Sequence, residues 1–174
     1  MEISKKAEEY SNDQGVEQIW AFKAFHHAET YMNLISSLDS RLLKLTKNDD
    51  DIYKKFQEDF PDMSVDIVKE DQLKSPAAKE KWRPFCNHFK ENVDDFNYGT
   101  LLRLDCNKDY SEENSILVTR IQFFAIEIAR NRQGFNLCMW KTKRKTKNEE
   151  EGETRKEEQK TDEEKPIDGD CDGR

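Results

Sequence analysis

The residues of this sequence that could do chemistry are few and widely spaced. His26 and His27 are adjacent and are followed by Glu29, while His88 is far along the chain. Zinc needs three or four converging ligands, whereas adjacent side chains on a helix point about 100° apart. Cys86 lies beside an aromatic helical stripe, where a cysteine is more often a small core residue than a nucleophile. We therefore predict no metal site and no catalytic cysteine.

Two further patterns bear on enzymatic function. Asp49 and Asp51 give the D-x-D pattern with which glycosyltransferases hold a metal and a nucleotide sugar. The same carboxylates stand where the positive end of a helix dipole favours negative charge, so we interpret them as structural. The sequence has neither G-x-G-x-x-G nor G-x-x-x-x-G-K-S/T, the glycine loops that let the backbone approach nucleotide phosphates. The prediction is a protein that is not an enzyme and that uses no cofactor or metal.

Charged residues embedded among apolar neighbours are more informative. Glu127 is followed by Arg130 at i+3 and Asn131 at i+4 in an otherwise apolar stretch. Arg103 likewise lies among leucines. A charge that is buried needs a partner, so these groups either pair with one another between elements or form a patch that binds another protein. The sequence leaves both interpretations open.

We place the predicted patch around the turn FNYG at residues 96–99. This turn combines an aromatic anchor with charges on both sides, and Gly99 would let the backbone bend sharply. Two further arginines come from the stretch that follows Glu127. We predict a surface patch for partner binding, rather than a pocket, made of Asp94, Asp95, Asn97, Tyr98, Arg103, Arg130 and Arg132.

Helices must position these residues, and the central one is predicted from Thr119 to Gly134. Thr119 and Gln122 have the S/T-x-x-E/Q spacing of a capping box, and Gly134 can adopt the left-handed conformation that ends a helix. The apolar residues between them fall on two faces, so little of the helix surface is left for water. The pattern predicts a helix buried between partners.

Three further helices and one β pair are expected from the spacing of apolar residues. Residues 16–38 repeat apolar types every three or four positions, with Phe22 and Phe25 beside that stripe. A second helix is predicted after Asn48 and ends before a proline, and a third begins at Ser75. Residues 63–67 and 102–104 alternate in polarity, which favours two short strands that pair. The predicted class is mainly α: a small orthogonal helical bundle around a buried C-terminal helix, with one short two-stranded β pair.

Charge is unevenly spread along the 174 residues, which carry 37 acidic and 29 basic side chains. The last 34 residues include 22 charged ones and too few apolar ones to form a core. We therefore predict a flexible N-terminus over 1–14, a single helical domain over 15–140 and a disordered charged tail over 141–174. The body is acidic, which disfavours binding to nucleic acid or to anionic lipid.

Location is predicted from what the sequence lacks and from one basic run. No apolar stretch resembles a secretory signal or approaches the roughly 20 residues of a membrane span. The four cysteines include no C-x-x-C pair, so free thiols are expected. The run KTKRKTK at 141–147 is compatible with a nuclear localisation signal, although such runs also flank tails without a role. We expect a monomer in the cytoplasm, with the nucleus as a second location.

Two long strings carry a resemblance: KWRPFCNHFKENVDDFNYGTLLRLDC at 81–106 and RIQFFAIEIARNRQGFN at 120–136. They are similar to the polysaccharide biosynthesis domain-containing protein 1 family, small eukaryotic proteins with a mainly helical fold, and the likeness spans about residues 15–136. Thr119 stands where family members tend to have proline, and either residue can start a helix. The resemblance implies a dedicated chaperone whose protein partner is newly synthesised translation elongation factor 1-alpha. The family name suggests the alternative, an enzyme or accessory factor of polysaccharide biosynthesis.

Overall fold

Six helices and one two-stranded sheet make up the part of the chain that the computed structural model describes, residues 14–144. The strands are β1 (Gly99–Arg103) and β2 (Ser115–Thr119), and a short 3₁₀ turn covers Ser40–Leu42. The mainly α class with one short β pair is confirmed. The helices are α1 (Gln14–Ser37), α2 (Asp49–Asp59), α3 (Asp71–Lys74), α4 (Pro76–His88), α5 (Arg120–Gln133) and α6 (137–144).

Helix α5 is the element around which the others pack. Ten of its fourteen residues are buried, because α2, β1 and β2 all pack against it. The backbone N–H of Thr119 donates to Oε1 of Gln122 at 3.0 Å, as the capping-box spacing predicted. Gly134 ends the helix in the left-handed conformation, with φ of 81°. Both ends of the central helix are therefore where the sequence placed them.

Strand β1 pairs antiparallel with β2, and Leu101 lies opposite Leu117 in the register. The predicted pairing of 102–104 with 63–67 is wrong, because that segment contributes only an isolated bridge between Ile67 and Asp105. The carboxylate of Asp66 accepts the backbone N–H of Ile67 at 2.7 Å. Such a local side-chain bond competes with a strand ladder, so 63–67 stays irregular.

An aromatic cluster joins α2 to α4. The rings of Phe60 and Trp82 are stacked with centroids 4.0 Å apart, and Phe56 and Phe85 pack beside them. The i, i+4 spacing within α2 predicted this buried face. Helix α4 begins as predicted, because Oγ of Ser75 accepts the backbone N–H of the residue three positions on, at 3.2 Å.

Helix α1 packs one face against β1 and leaves another in water. The buried face consists of small and apolar residues, namely Ala24, Ala28, Tyr31 and Ile35. Trp20 lies against Gly99, where an added Cβ would be 2.8 Å from the indole ring. Phe22 and Phe25 are 71% and 64% exposed, and Ile19 is 60% exposed. The predicted amphipathic helix is present, but it carries a second apolar row that nothing in the described fold covers.

Residues 137–144 continue the chain as a helix after Gly134. The boundary predicted after residue 140 therefore falls inside α6. The remainder of the predicted tail and the N-terminal segment up to residue 13 lie outside the described residues. No helix within 14–144 combines the length and the apolar character needed to cross a bilayer.

Candidate functional site

Glu127 is the centre of a buried polar network on α5. Its side chain is 0% exposed, and it accepts hydrogen bonds from Tyr31 Oη at 2.9 Å and from Asn136 Nδ2 at 2.8 Å. Arg130 donates to the same carboxylate at 2.7 Å, and a guanidinium nitrogen of Arg103 lies 3.5 Å from it. The pairing of Glu127 with Arg130 agrees with the interpretation in which the embedded charges pair with one another.

The two arginines of this network also tie distant segments together. Arg130 donates to the backbone carbonyl of Val65 at 2.6 Å and to those of Arg103 and Leu104 at 2.9 Å each. Arg103 donates to the carbonyl of Cys106 at 2.8 Å and to Asn136 Oδ1 at 2.7 Å. The two guanidinium groups thereby give donors to backbone carbonyls of several segments, so the network has a structural role in holding these segments together.

The charges of the network determine its protonation. Burial alone would raise the pKa of Glu127, but the positive charges of Arg130 and Arg103 outweigh burial and hold that pKa below its ordinary value. Burial and the neighbouring carboxylate raise the pKa of Tyr31 well above its ordinary value, so its hydroxyl remains a donor. Two arginines face one glutamate, which leaves this network with a net positive charge.

Arg103 and Arg130 therefore do not belong to the predicted surface patch. Both are 0% exposed, and a side chain without exposed surface offers no contact to a partner in this fold. The sequence was compatible both with pairing of these charges in the interior and with a partner-binding patch. The choice depended on which segments pack over the two guanidinium groups.

The turn at 94–99 lies against the start of α5. The carbonyls of Tyr98 and Phe96 accept the backbone N–H groups of Arg120 and Ile121, which are donors that a helix start leaves unsatisfied. Arg120 also forms an exposed ion pair with Asp95 at 3.4 Å and lies over the Tyr98 ring at 5.4 Å. The turn thus has a structural role, whatever it binds.

The sharp bend in this turn comes from a residue other than the glycine. Asp95 has a φ of 52°, in the left-handed region that aspartate tolerates better than most residues. Gly99 is not among the positive-φ residues of the described chain, so the predicted bend at Gly99 is wrong. Its missing side chain instead makes room for Trp20. Asp94 and Asn97 are exposed within this turn and remain candidates for binding.

Arg132 lies far from that turn, near the other end of α5. It pairs with Asp50 at 2.6 Å and lies over the ring of Tyr53 at 4.8 Å, both on α2. Arg120 and Arg132 are twelve residues apart, which is about 18 Å along a helix. The seven predicted residues thus divide into a turn, a buried network and a separate α2–α5 contact, rather than one compact patch. Partner binding by the exposed members stays a prediction.

One surface cavity is a groove that no pattern in the sequence predicted. It measures about 600 Å³ and lies between α1 at residues 25–33 and a wall made by Leu101, the loop 109–112 and Ser115. We call it the acidic groove. Its lining is mainly apolar, with Phe25 and Met32 from α1 facing Leu101 and the loop residue Tyr110. Its volume is in the range of ordinary ligand and peptide sites.

The charges of the acidic groove are all of one sign. Three of its eleven lining residues are carboxylates, Glu29, Asp109 and Glu112, and none is lysine, arginine or histidine. Within residues 14–144, Asp109 and Glu112 form no ion pair, and Glu29 faces only the exposed His26, at 3.8 Å. An apolar groove whose carboxylates have no lysine or arginine partner within 14–144 is suited to an apolar group that carries positive charge.

The exposed row of α1 adjoins this groove. Ile19, Phe22 and Phe25 follow one another at spacings of three, so they lie along one side of the helix, and Phe25 also lines the groove. The available sequence signal was that Phe22 and Phe25 lie off the buried stripe. That signal could not identify the opposite wall, because the loop is some eighty residues away in the chain.

Two other cavities give weaker indications of a functional site. One of about 450 Å³ contains Cys86, whose pKa is raised by burial, so its thiol is a poor nucleophile at neutral pH. Another of about 270 Å³ lies between α2 and the end of α4 and contains His88. No group of three or more metal-binding side chains occurs within 14–144.

Known proteins match this chain over the same region that contains the network and the groove. A family model described as PBDC1 protein covers residues 16–141. The chain belongs to the PBDC1 family. Protein PBDC1 of Homo sapiens is 56% identical over 138 residues, which is 79% of this chain but 59% of the human protein. The match therefore spans about six-tenths of that relative's length.

Further similar proteins include two PBDC1 relatives, from a rodent and a fungus, and one solved structure. Protein PBDC1 of Mus musculus is 54% identical, with 90% of this chain and 78% of the mouse protein aligned. The PBDC1 homolog of Saccharomyces cerevisiae is 43% identical over 75% of this chain and 92% of its own length. The solution NMR structure of protein yst0336 from Saccharomyces cerevisiae is similar at a TM-score of 0.69 and 40% identity, covering 78% of this chain and 96% of that one. The family likeness inferred from the two long strings is confirmed.

Proposed function

We propose that this member of the PBDC1 family is a non-enzymatic protein-binding factor. In this proposal it acts in the cytoplasm as a dedicated chaperone for newly synthesised translation elongation factor 1-alpha. The observation that carries the proposal is the acidic groove, together with the exposed apolar row of α1 beside it. The identity of the client rests on the family resemblance of residues 81–106 and 120–136.

An exposed aromatic row favours protein binding. Large apolar side chains that cluster on a surface commonly mark interaction sites, and aromatic residues dominate the energetics of such contacts. Phe22 and Phe25 are both more than half exposed, and Phe22 stacks on the exposed ring of His26, with centroids 6.3 Å apart. A client that covered this row would remove that apolar surface from water.

The charge of the chain fits a client of opposite sign. The whole chain has a formal net charge of −8, and the groove concentrates carboxylates beside apolar surface. A basic client would be drawn to such a surface by long-range attraction, which raises the association rate more than the final affinity.

The rival function, a role in polysaccharide synthesis, draws on the D-x-D pattern at Asp49 and Asp51. Asp49 is 2% exposed, and its carboxylate accepts the backbone N–H groups of Leu45 and Thr46 at 3.0 and 2.7 Å. Both oxygens are thereby used in holding the chain that leads into α2. This contact favours the structural interpretation of the pattern over a nucleotide-sugar site.

Affinity purification separates the two functions. The tagged full chain would be recovered from cells after a short pulse of labelled amino acids and again after a chase. We expect labelled elongation factor 1-alpha to be recovered after the pulse and to diminish during the chase, because a chaperone releases its folded client. Recovery of glycan-synthesis enzymes without the elongation factor would overturn the proposal.

A further inference from the structure

We propose that the acidic groove is the docking site for a client segment in which lysine or arginine side chains flank a large apolar side chain. The apolar side chain enters between α1 and the 109–112 loop, and the flanking cations meet the carboxylates at the rim. The proposed chaperone function supplies the name of the client, whereas the chemistry of the segment comes from the groove itself.

The apolar part of the segment is inferred from the floor and walls. Phe25 and Met32 lie about two turns apart on α1, and Leu101 and Tyr110 come from the opposite side. Tyr110 is held in place because its hydroxyl donates to the carbonyl of Leu101 at 3.4 Å, and its ring faces the buried Arg103 at 5.9 Å. One wall is therefore anchored to the interior network, and a preorganised wall of this kind lowers the ordering cost of binding.

The positive part of the segment is inferred from the rim. Glu29 is on α1 and Glu112 is on the loop, so the two carboxylates border the groove from opposite sides. Neither has a lysine or arginine partner within 14–144, although the same surface contains many such pairs elsewhere, for example Lys55 with Asp59 at 2.6 Å. A cation placed between these rim carboxylates would be attracted from both walls.

A second copy of the chain is a poorer occupant. A two-fold symmetric contact brings the same patch of both copies together, so the rim carboxylates would face each other. Like charges that meet at an interface disfavour the complex. The groove therefore selects a basic segment against another acidic body.

The test compares groove variants with matched controls, all made in the 174-residue chain. The groove variants are Phe25→Ala and the double change Glu29→Lys with Glu112→Lys. Asp109 is left unchanged because its carboxylate accepts the backbone N–H of Tyr110 at 2.7 Å and so shapes the loop. The control for charge is the double change Glu80→Lys with Glu91→Lys, and the control for apolar loss is Leu42→Ala, a side chain that is 83% exposed outside the groove.

Two probes are measured with each variant. The first is a labelled 18-residue amphipathic peptide of leucine and lysine, with its leucine and glutamate counterpart, followed by fluorescence anisotropy. The second is elongation factor 1-alpha made in cell-free translation and captured on the immobilised chain. Thermal unfolding is recorded for every variant, because exposed substitutions of this kind should leave the midpoint within about 2 °C.

We expect the lysine peptide to bind and the glutamate peptide to fail. The double groove variant should weaken peptide and client binding by at least about tenfold, since two attractions of up to about fivefold each are replaced by repulsions. Phe25→Ala should weaken binding by about tenfold or more, because truncating an aromatic anchor at an interface commonly costs that much affinity. The controls should stay within about twofold of the unmodified chain.

The possible negative results distinguish an error in the docking site from an error in the proposed client. If the groove variants capture the client as well as the unmodified chain, the docking site is refuted while the chaperone function keeps its support. If the unmodified chain binds the lysine peptide through the groove but never captures the elongation factor, the docking chemistry stands and the proposed client is wrong. Equal binding of both peptides refutes the inferred charge. Micromolar self-association that Phe25→Ala abolishes would make a second copy the occupant and also overturn the inference.

Discussion

Replacing Glu127 with glutamine tests whether the buried network holds the fold together. The carboxylate is 0% exposed, accepts hydrogen bonds from Tyr31, Arg130 and Asn136, and lies 3.5 Å from Arg103. Glutamine keeps the shape but removes the only negative charge of the described network, so two buried guanidinium groups lose their counter-charge. Breaking a buried ion pair from one side costs about 3–5 kcal/mol, a large share of the 5–15 kcal/mol by which domains are stable. We expect the unfolding midpoint to fall by roughly 10–20 °C.

The assay is denaturant and thermal unfolding of Glu127→Gln beside the control Glu80→Gln, which changes an exposed glutamate of α4. The control should stay within about 0.5 kcal/mol of the unmodified chain. The structure also predicts how the difference in unfolding free energy between the unmodified chain and Glu127→Gln depends on pH. The pKa of Glu127 is lower in the folded chain than in the unfolded chain, because Arg130 and Arg103 outweigh the opposing effect of burial. Its stabilising contribution is therefore complete above the ordinary pKa of about 4.5 and is lost as the pH falls through the folded-state value.

The free-energy gap between the unmodified chain and Glu127→Gln should thus be constant above about pH 5 and should narrow below pH 4.5. A double variant that also changes Arg103→Met should be less destabilised than the sum of the single changes, by at least about 1 kcal/mol, because the two groups lie in one network. A loss below 1 kcal/mol at pH 7, or a gap that stays constant on acidification, would show that the network contributes little to stability.

Three further outcomes are expected. Gly99→Ala should cost about 1–3 kcal/mol in denaturant unfolding and alter the fluorescence of Trp20, because an added Cβ would lie 2.8 Å from the indole ring. Burial, aided by a nearby positive charge, lowers the pKa of His27, so stability should rise with pH towards 6.5 and His27→Gln should remove that part of the slope. Tyr98→Ala and Arg132→Glu should weaken client capture with unfolding free energies changed by no more than about 1 kcal/mol, if the exposed part of the predicted patch binds a partner. Unfolding of either variant together with loss of capture would instead assign these residues a structural role.

Local sequence signals were sufficient for most of the helices. The Thr119 and Gln122 pair, the terminal Gly134 and the Ser75 cap each act over three or four residues, so their geometry follows from spacing alone. The aromatic i, i+4 stripe of α2 likewise predicted which face would be buried, because a helix repeats its surface every 3.6 residues. PBDC1 family membership followed from strings that are long enough to be specific.

Strand pairing depended on contacts that no local pattern describes. Residues 63–67 and 115–119 both contain alternating or apolar stretches, and either could have paired with β1. The side chain of Asp66 engages its own backbone, and β2 takes the place beside β1. A two-residue repeat shows that a segment can form a strand, but it does not identify the partner.

Tertiary structure decided which charged residues are buried and which are exposed. Sequence alone indicated that Glu127 and Arg130 could pair, yet it could not show that Arg103 would join them in the interior while Arg132 stayed at the surface. The acidic groove depends on tertiary structure even more, because its walls come from α1 and from a loop about eighty residues later. Burial and electrostatic grouping arise from the packing of segments that are distant in the chain. Local periodicity therefore determined the helices of this protein, and only the packed structure determined which charges hold it together and which remain free to meet a partner.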